Sequence, residues 1–263
     1  MTATDGANGG PDWVALMASA KTRRPAPHVA QTFVRKMETF SKPVVWECND
    51  KVHRIVKSLQ VGRTDMARPM FTEVVLAALG QRIGAPVPTR SLVTVPAALI
   101  AAEPKAAHVL PGVGHAFDVI ADVVDVGTQF NPPTEKTRRT AARLAVFYGW
   151  ALGGNQQLLR KTEADGDVFT VDHGHFLPNG PAWNATGLTT AGDPALDTMF
   201  VPQTTDDLIA DAIDDLAALP DEVIAEAVAL PPDEWGIPDD DRVAVAKYLA
   251  GRRDRLMTIV RSA

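Results

Sequence analysis

The run Pro69-Met70-Phe71-Thr72-Glu73-Val74-Val75-Leu76-Ala77-Ala78-Leu79-Gly80-Gln81-Arg82-Ile83-Gly84 is the most clearly patterned stretch of the chain. Phe71, Val74, Val75, Ala78, Leu79 and Ile83 recur at intervals of three and four, which puts them on one face of a helix. Pro69 suits a first turn, where its missing N–H is not needed, and Gly84 stands where a C-cap glycine belongs. Ala85-Pro86-Val87-Pro88 cannot continue the helix, and Ser91-Leu92-Val93-Thr94-Val95 then reads as a strand. Upstream, Val44-Val45-Trp46-Glu47-Cys48, the turn Asn49-Asp50-Lys51 and the alternating Val52-His53-Arg54-Ile55-Val56-Lys57 predict a hairpin over residues 44 to 60. The spacing over residues 29 to 40 predicts a helix, broken by Ser41-Lys42-Pro43.

Further along, residues 109 to 126 pass through a turn at Pro111-Gly112-Val113-Gly114 into a largely apolar stretch that could be helix or strand. After Asn131-Pro132-Pro133 a second strong helix is expected from about 134 to 152, with Ala141, Leu144, Ala145, Phe147 and Tyr148 on its apolar side and Gly153-Gly154 ending it. Leu158-Leu159, the turn Ala164-Asp165-Gly166-Asp167 and Val168-Phe169-Thr170-Val171 predict another hairpin, because Asp-Gly supplies the positive φ a tight turn demands. The remainder reads as helical: a capping box at Thr204-Thr205-Asp206-Asp207 ahead of residues 206 to 219, then 221 to 230, then 239 to 261. A mixed sheet followed by helices, with one hairpin embedded between them, defines an α+β chain of two lobes. Residues 1 to 12 form a loose tail, 13 to 126 a β-rich N-lobe, and 127 to 263 a mostly helical C-lobe.

Composition narrows the function classes. The 263 residues carry 26 basic and 32 acidic side chains, a formal charge of −6, and one cysteine, Cys48. A lone cysteine forms no internal disulfide and no Cys/His spacing matches a zinc site, so a reducing compartment and the cytoplasm are expected. The first twenty residues lack an apolar signal core, and runs such as residues 95 to 102 fall short of a membrane span. A mildly acidic chain without a basic run gives no electrostatic footprint for nucleic acid.

Four places could carry chemistry. Lys57 ends a strand and Glu73 lies one turn into the following helix, the arrangement of a phosphate-holding lysine and its orienting carboxylate in kinase folds; without context the pair better suits a surface lysine and a helix-start glutamate. Asn155 follows the Gly-Gly helix end and Asp172 follows a β-branched strand, so a carboxamide and a carboxylate approach one end of a hairpin. Both are hard oxygen donors of the kind that hold magnesium beside nucleotide phosphates, though each also suits a turn. Gly112-Val113-Gly114-His115 is too short for a phosphate-cradling loop and reads as a turn. The acidic run Asp206, Asp207, Asp211, Asp214 and Asp215 reads as a solvated face, with a partner-binding surface as the alternative. Trp183 and Trp235 read as buried anchors.

The order of these features resembles the HipA-like atypical protein kinases, related more distantly to phosphatidylinositol-kinase-like folds. Its carriers are Arg54-Ile55-Val56-Lys57, the helix from Phe71 to Gly80 with Ile83-Gly84-Ala85-Pro86-Val87-Pro88 behind it, residues 150 to 159, and Val171-Asp172-His173-Gly174. The resemblance implies a bilobal protein-kinase-like fold that binds ATP and Mg2+ between its lobes. Carried over residue by residue, Lys57 would contact nucleotide phosphates, Glu73 would orient it, and Asn155 and Asp172 would bind magnesium. His115 or Asp118 could line the cleft.

One departure stands out. The family places a catalytic aspartate five positions before the metal-binding asparagine, and here that position is Trp150; if Asn155 takes the aspartate's place, the asparagine's place is Arg160. From Lys136 through Thr162 there is no Asp or Glu. An indole cannot accept a proton in that role, and His173, or His175, is the remaining substitute. Two readings follow: a phosphotransferase acting on Ser/Thr hydroxyls, slowed by the missing base, or an inactive pseudokinase serving as a regulatory or toxin/antitoxin-type protein-interaction module.

Overall fold

The computed structural model describes residues 10–127, 134–163 and 166–262. Five strands close a barrel in the order β1-β2-β3-β5-β4: β1 (His28–Lys36), β2 (Val44–Cys48), β3 (His53–Lys57), β4 (Arg90–Val95) and β5 (Gly112–Asp118). Neighbours run antiparallel except β1 and β4, which are parallel. Alternation along these strands sorts their side chains. Val44, Trp46, Cys48, Val56, Val93, Val95 and Ala116 fill the barrel, whereas Leu92 and Phe117 join a second, larger core built around helix α2 (Ala67–Arg82). Lys57 pairs with His115 across β3 and β5, and paired residues share a sheet face, so both are presented to α2.

Residues 29 to 40, expected as helix, are mostly strand β1. Its register against β2 shifts between Ala30 and Thr32 and again between Phe33 and Arg35. Each irregularity inserts a residue out of alternation. Two of them leave Val29, Ala30, Phe33 and Val34 at the threes and fours of a helix. The Gly112 region also differs from expectation: Gly112 opens β5 at φ +132, where a Cβ would meet the Glu234 carboxylate, and the Val113 N–H donates to Glu234 Oε1 at 2.5 Å.

An unanticipated helix, α1 (Trp13–Lys21), is N-capped by Asp12, whose Oδ1 accepts from the Ala15 N–H at 3.0 Å. It lies against α7 (Asp221–Ala229) and α8 (Asp239–Ser262), held by Lys21 to Asp239 at 2.5 Å and by a paired Arg24–Asp233 contact. A short helix α3 (Ala97–Ala102) follows β4.

Helix α4 (Glu135–Ala151) begins at a capping box between Thr134 and Thr137 and ends at Leu152, which adopts the left-handed conformation. It packs with α6 (Asp206–Ala217) and α8, which α5 (Ala185–Thr189) also contacts. The capping box expected at Thr205 does not form, since no side chain caps α6. Beside this bundle lies an antiparallel sheet of β6 (Val123–Asp125), β7 (Gln157–Lys161) and β8 (Val168–Val171). The turn expected at residues 164 to 167 lies partly outside the described residues, as do the Asn131-Pro132-Pro133 break and most of the expected tail. No described helix is long and apolar enough to cross a membrane. Trp183 and Trp235 are buried, as expected.

Candidate functional site

Strand β3 delivers Lys57 to the junction of the two lobes. Lys57 Nζ lies 2.5 Å from Glu73 Oε1 and 2.8 Å from Asp172 Oδ1, so one ammonium joins the barrel, helix α2 and the segment after β8. Glu73 is on the second turn of α2 and is 2 % exposed. Asp172 follows β8 at φ 62, a left-handed conformation that Asp tolerates better than most residues. Gly174 is set by this neighbourhood: a Cβ there would meet Pro69 and the Glu73 carboxylate, so the Asp-His-Gly turn presses closely on α2.

The electrostatics follow from burial and pairing. Burial pushes the Lys57 ammonium down, but Glu73 and Asp172 outweigh it and raise it to about 12. Burial lifts Glu73 to about 7 against the pull of Lys57. Burial also pushes Asp172 up, and Lys57 overrides it to hold the carboxylate at about 2. The site thus keeps a fixed cation and a reliably ionised carboxylate at neutral pH, the complement of a phosphate and a hard metal ion.

Asn155 stands in the loop between α4 and β7, exposed, at φ 53. Gln157 pairs with Val171, which brings the Asn155 loop and Asp172 to one end of the hairpin, but no hydrogen bond joins Asn155 to Lys57, Glu73 or Asp172. Among the described residues no group of three or more His, Cys, Asp or Glu side chains could hold a metal. A lone carboxylate and carboxamide fit magnesium, which keeps waters and takes phosphate oxygens for its remaining positions.

Trp150 lies in the last turn of α4, fully buried, and its Nε1 donates to the Leu249 carbonyl of α8 at 2.8 Å. Arg252 of α8 donates to the carbonyls of Trp150 at 2.6 Å, Gly149 at 2.8 Å and Gly192 at 2.9 Å, satisfying the helix end. Position 150 is therefore fixed into the C-terminal bundle. His173 is also fully buried, with Nε2 3.0 Å from Thr170 Oγ1, which lies 2.6 Å from the Tyr148 hydroxyl. Burial, helped by Lys57, lowers His173 to about 3. An imidazole so enclosed, edge-on to Phe147 and Phe176, is a core residue.

Sequence spacing gave His115 little weight, yet it is fully buried beside Glu73, with Nε2 3.5 Å from Glu73 Oε2. Neither ring nitrogen has a hydrogen-bond partner among the described residues. Only the strand register, which seats it opposite Lys57, reveals this. Asp118 is instead paired with Arg54 at 3.0 Å. A cavity of about 590 Å3 at the linker between the lobes is lined by Asp118, Asp122, Lys161 and Phe169 among others, and by none of Lys57, Glu73 or Asp172.

Burial, then Lys57, hold the His115 imidazole well below its ordinary 6.5. Below about pH 6.5 the unfolded chain therefore binds a proton the folded chain refuses, so this residue lowers stability as pH falls, by up to about 1.4 kcal/mol per pH unit. Glu73, raised to about 7, has the opposite sign between its ordinary 4.5 and that value. The expected result is that His115→Leu loses less stability than the parent between pH 7 and pH 5 in urea unfolding. Equal losses would contradict the assignment of His115 as a buried neutral group.

A strand-rich N-terminal lobe, a helical C-terminal lobe and a lysine held between a helix glutamate and a post-strand aspartate at their junction define a kinase-like protein. Comparison with known proteins makes this specific: the model of the HipA-like kinase family matches residues 29–173, and the chain belongs to that family. Among solved structures, the Helicobacter pylori proinflammatory kinase CtkA is similar with a TM-score of 0.59 at 11% identity, over 90% of this chain and 97% of that one. The Golgi casein kinase aligns with a TM-score of 0.45 at 8% identity, over 95% of this chain and 77% of that one. No curated protein matches significantly.

Proposed function

We propose that the chain binds ATP with Mg2+ between its lobes and transfers the γ-phosphoryl group to a Ser/Thr hydroxyl. The observation that carries this reading is the Lys57 ammonium, 2.5 Å from Glu73 and 2.8 Å from Asp172. In this reading Glu73 holds Lys57 toward the phosphates, and Asp172 and Asn155 hold the magnesium, which would neutralise phosphate charge. Lys57 supplies a positive charge where negative charge develops on the transferring group. His173 takes no part in proton transfer, because it is enclosed and neutral.

A second reading, a pseudokinase that binds nucleotide and acts through a protein partner, is favoured by Trp150, whose indole is built into the C-terminal bundle where the family carries a base. The two readings share a pocket and part at turnover.

The test is a thermal-shift titration with ATP, with and without Mg2+, on the parent and on Asp172→Ala, followed by ADP release. A ligand that binds the folded state raises the melting temperature by mass action. The expected result is a Mg2+-dependent rise in the parent that Asp172→Ala loses. ADP formation selects the phosphotransferase, a shift without ADP selects the pseudokinase, and no shift at millimolar ATP rejects both.

A further inference from the structure

Helix α4 leaves no acid in the loop that follows it, yet a carboxylate reaches that loop from elsewhere. Asp197 Oδ2 accepts from Gln156 Nε2 at 3.1 Å, and Gln156 is the neighbour of Asn155. The approach is built into the fold. The Asp197 N–H donates to the Ala145 carbonyl of α4 at 3.0 Å, and Asp197 Oδ1 accepts from the Met199 N–H at 2.9 Å, which fixes the side chain on its own backbone. Gly149 makes room for it: a Cβ there would run into the Ala195 carbonyl, so the segment could not seat against the last turn of α4. A glycine inside a helix lowers helix stability by about 1 kcal/mol relative to alanine, and here close backbone approach accounts for it.

Asp197 and Asp172 also act on one side chain. Burial raises the Tyr148 phenol above its ordinary value, the Thr170 hydroxyl pulls it back, and the charges of Asp197 and then Asp172 add to the rise. The Tyr148 ring in turn packs 5.4 Å from Phe200, on the same segment as Asp197. Among the described residues, Asp125, exposed on strand β6, is a second acid nearby: it accepts from Nε2 of Gln157, the first residue of β7, at 3.3 Å.

We propose that Asp197 is the general base that replaces the family's missing aspartate, delivered from the segment after α5 instead of from the loop after α4. This rests on the phosphotransferase reading above. The acceptor hydroxyl oxygen forms a bond to the γ-phosphorus of ATP as the bond from that phosphorus to the β–γ bridging oxygen breaks. The hydroxyl proton passes to an Oδ of Asp197, and ADP leaves with the bridging oxygen's electron pair. With water as acceptor the same step yields inorganic phosphate.

The experiment measures ADP release from ATP and Mg2+, with water alone and with a Ser/Thr peptide array as acceptor, alongside the thermal shift. Four proteins are compared: the parent, Asp197→Asn, Gln156→Ala and Asp125→Asn. Asparagine keeps an oxygen for one of the two hydrogen bonds but cannot take the proton. The expected result is a loss of roughly 10²- to 10⁴-fold in kcat for Asp197→Asn, the usual worth of general-base help, with the ATP shift retained. Gln156→Ala and Asp125→Asn should stay within about tenfold of the parent, small beside that general-base loss. Equal losses in Asp197→Asn and Gln156→Ala would overturn the proposal by making Asp197 a mere anchor of the loop. So would an unimpaired Asp197→Asn, or a loss only in Asp125→Asn. A parent that shifts with ATP but releases no ADP overturns the base while leaving nucleotide binding intact; a parent with no shift removes the reading on which the base depends.

Discussion

Lys57→Met is expected to abolish the ATP-dependent rise in melting temperature and to lower any phosphate transfer by about 10²- to 10³-fold, the usual cost of removing one preorganised charge-stabilising group. The fold should survive the substitution. Lys57 is a largely enclosed cation, its side chain 15% exposed, between two carboxylates, and removing one partner of a buried pair is costly when the other stays charged. Glu73, however, already sits at about 7 because burial opposes its charge, so it can take a proton once the ammonium is gone. Asp172 is half-buried and can turn to water for its solvation. The methionine stem refills the space the lysine methylenes occupied. The check is a melting curve of the unliganded variant near that of the parent, with no response to ATP and Mg2+. A variant that still shifted with ATP would place the phosphates away from Lys57.

Trp150→Asp, which restores the family's aspartate on paper, is expected to unfold the protein and not to restore turnover. The indole is fully buried and bonded to the Leu249 carbonyl. Deleting a buried tryptophan side chain costs about 3 to 5 kcal/mol, and an unpaired carboxylate in the same space adds a desolvation penalty on top. The neighbouring Arg252 is already engaged, since each of its three guanidinium nitrogens donates to one of the carbonyls of Trp150, Gly149 and Gly192. Losses of this size are comparable with the whole stability of many domains. Urea unfolding should show a midpoint far below that of the parent, or no folded baseline at all. A well-folded Trp150→Asp with faster ADP release would instead mean that position 150 opens on the cleft.

The residues of the ion-pair group were legible one by one in the sequence, and their meeting was not. Lys57 closes an alternating strand and Glu73 opens a strongly periodic helix, and both patterns hold in the fold because each element buries one well-marked face. Their joining to Asp172, across 115 positions, depends on how the lobes close, which no local pattern encodes. Strand β1 was hidden because irregular register breaks the period-2 signal on which strand recognition depends. Helix α1 was hidden beside a Gly-rich tail, although Asp12 marks its start. Asp197 carries no sequence signal at all: it lies 41 positions from its loop partner Gln156, and only the packing of its segment against Gly149 brings it there.

A crystal structure with a non-hydrolysable ATP analogue and Mg2+ would show whether nucleotide and magnesium meet at Lys57 and Asp172. Phosphate oxygens are expected on the Lys57 ammonium, with the Glu73 contact kept, and a metal ion on Asp172 and Asn155. Nucleotide bound in the cavity beside Asp118 and Lys161, or phosphates that leave the Lys57–Asp172 pair undisturbed, would contradict that placement.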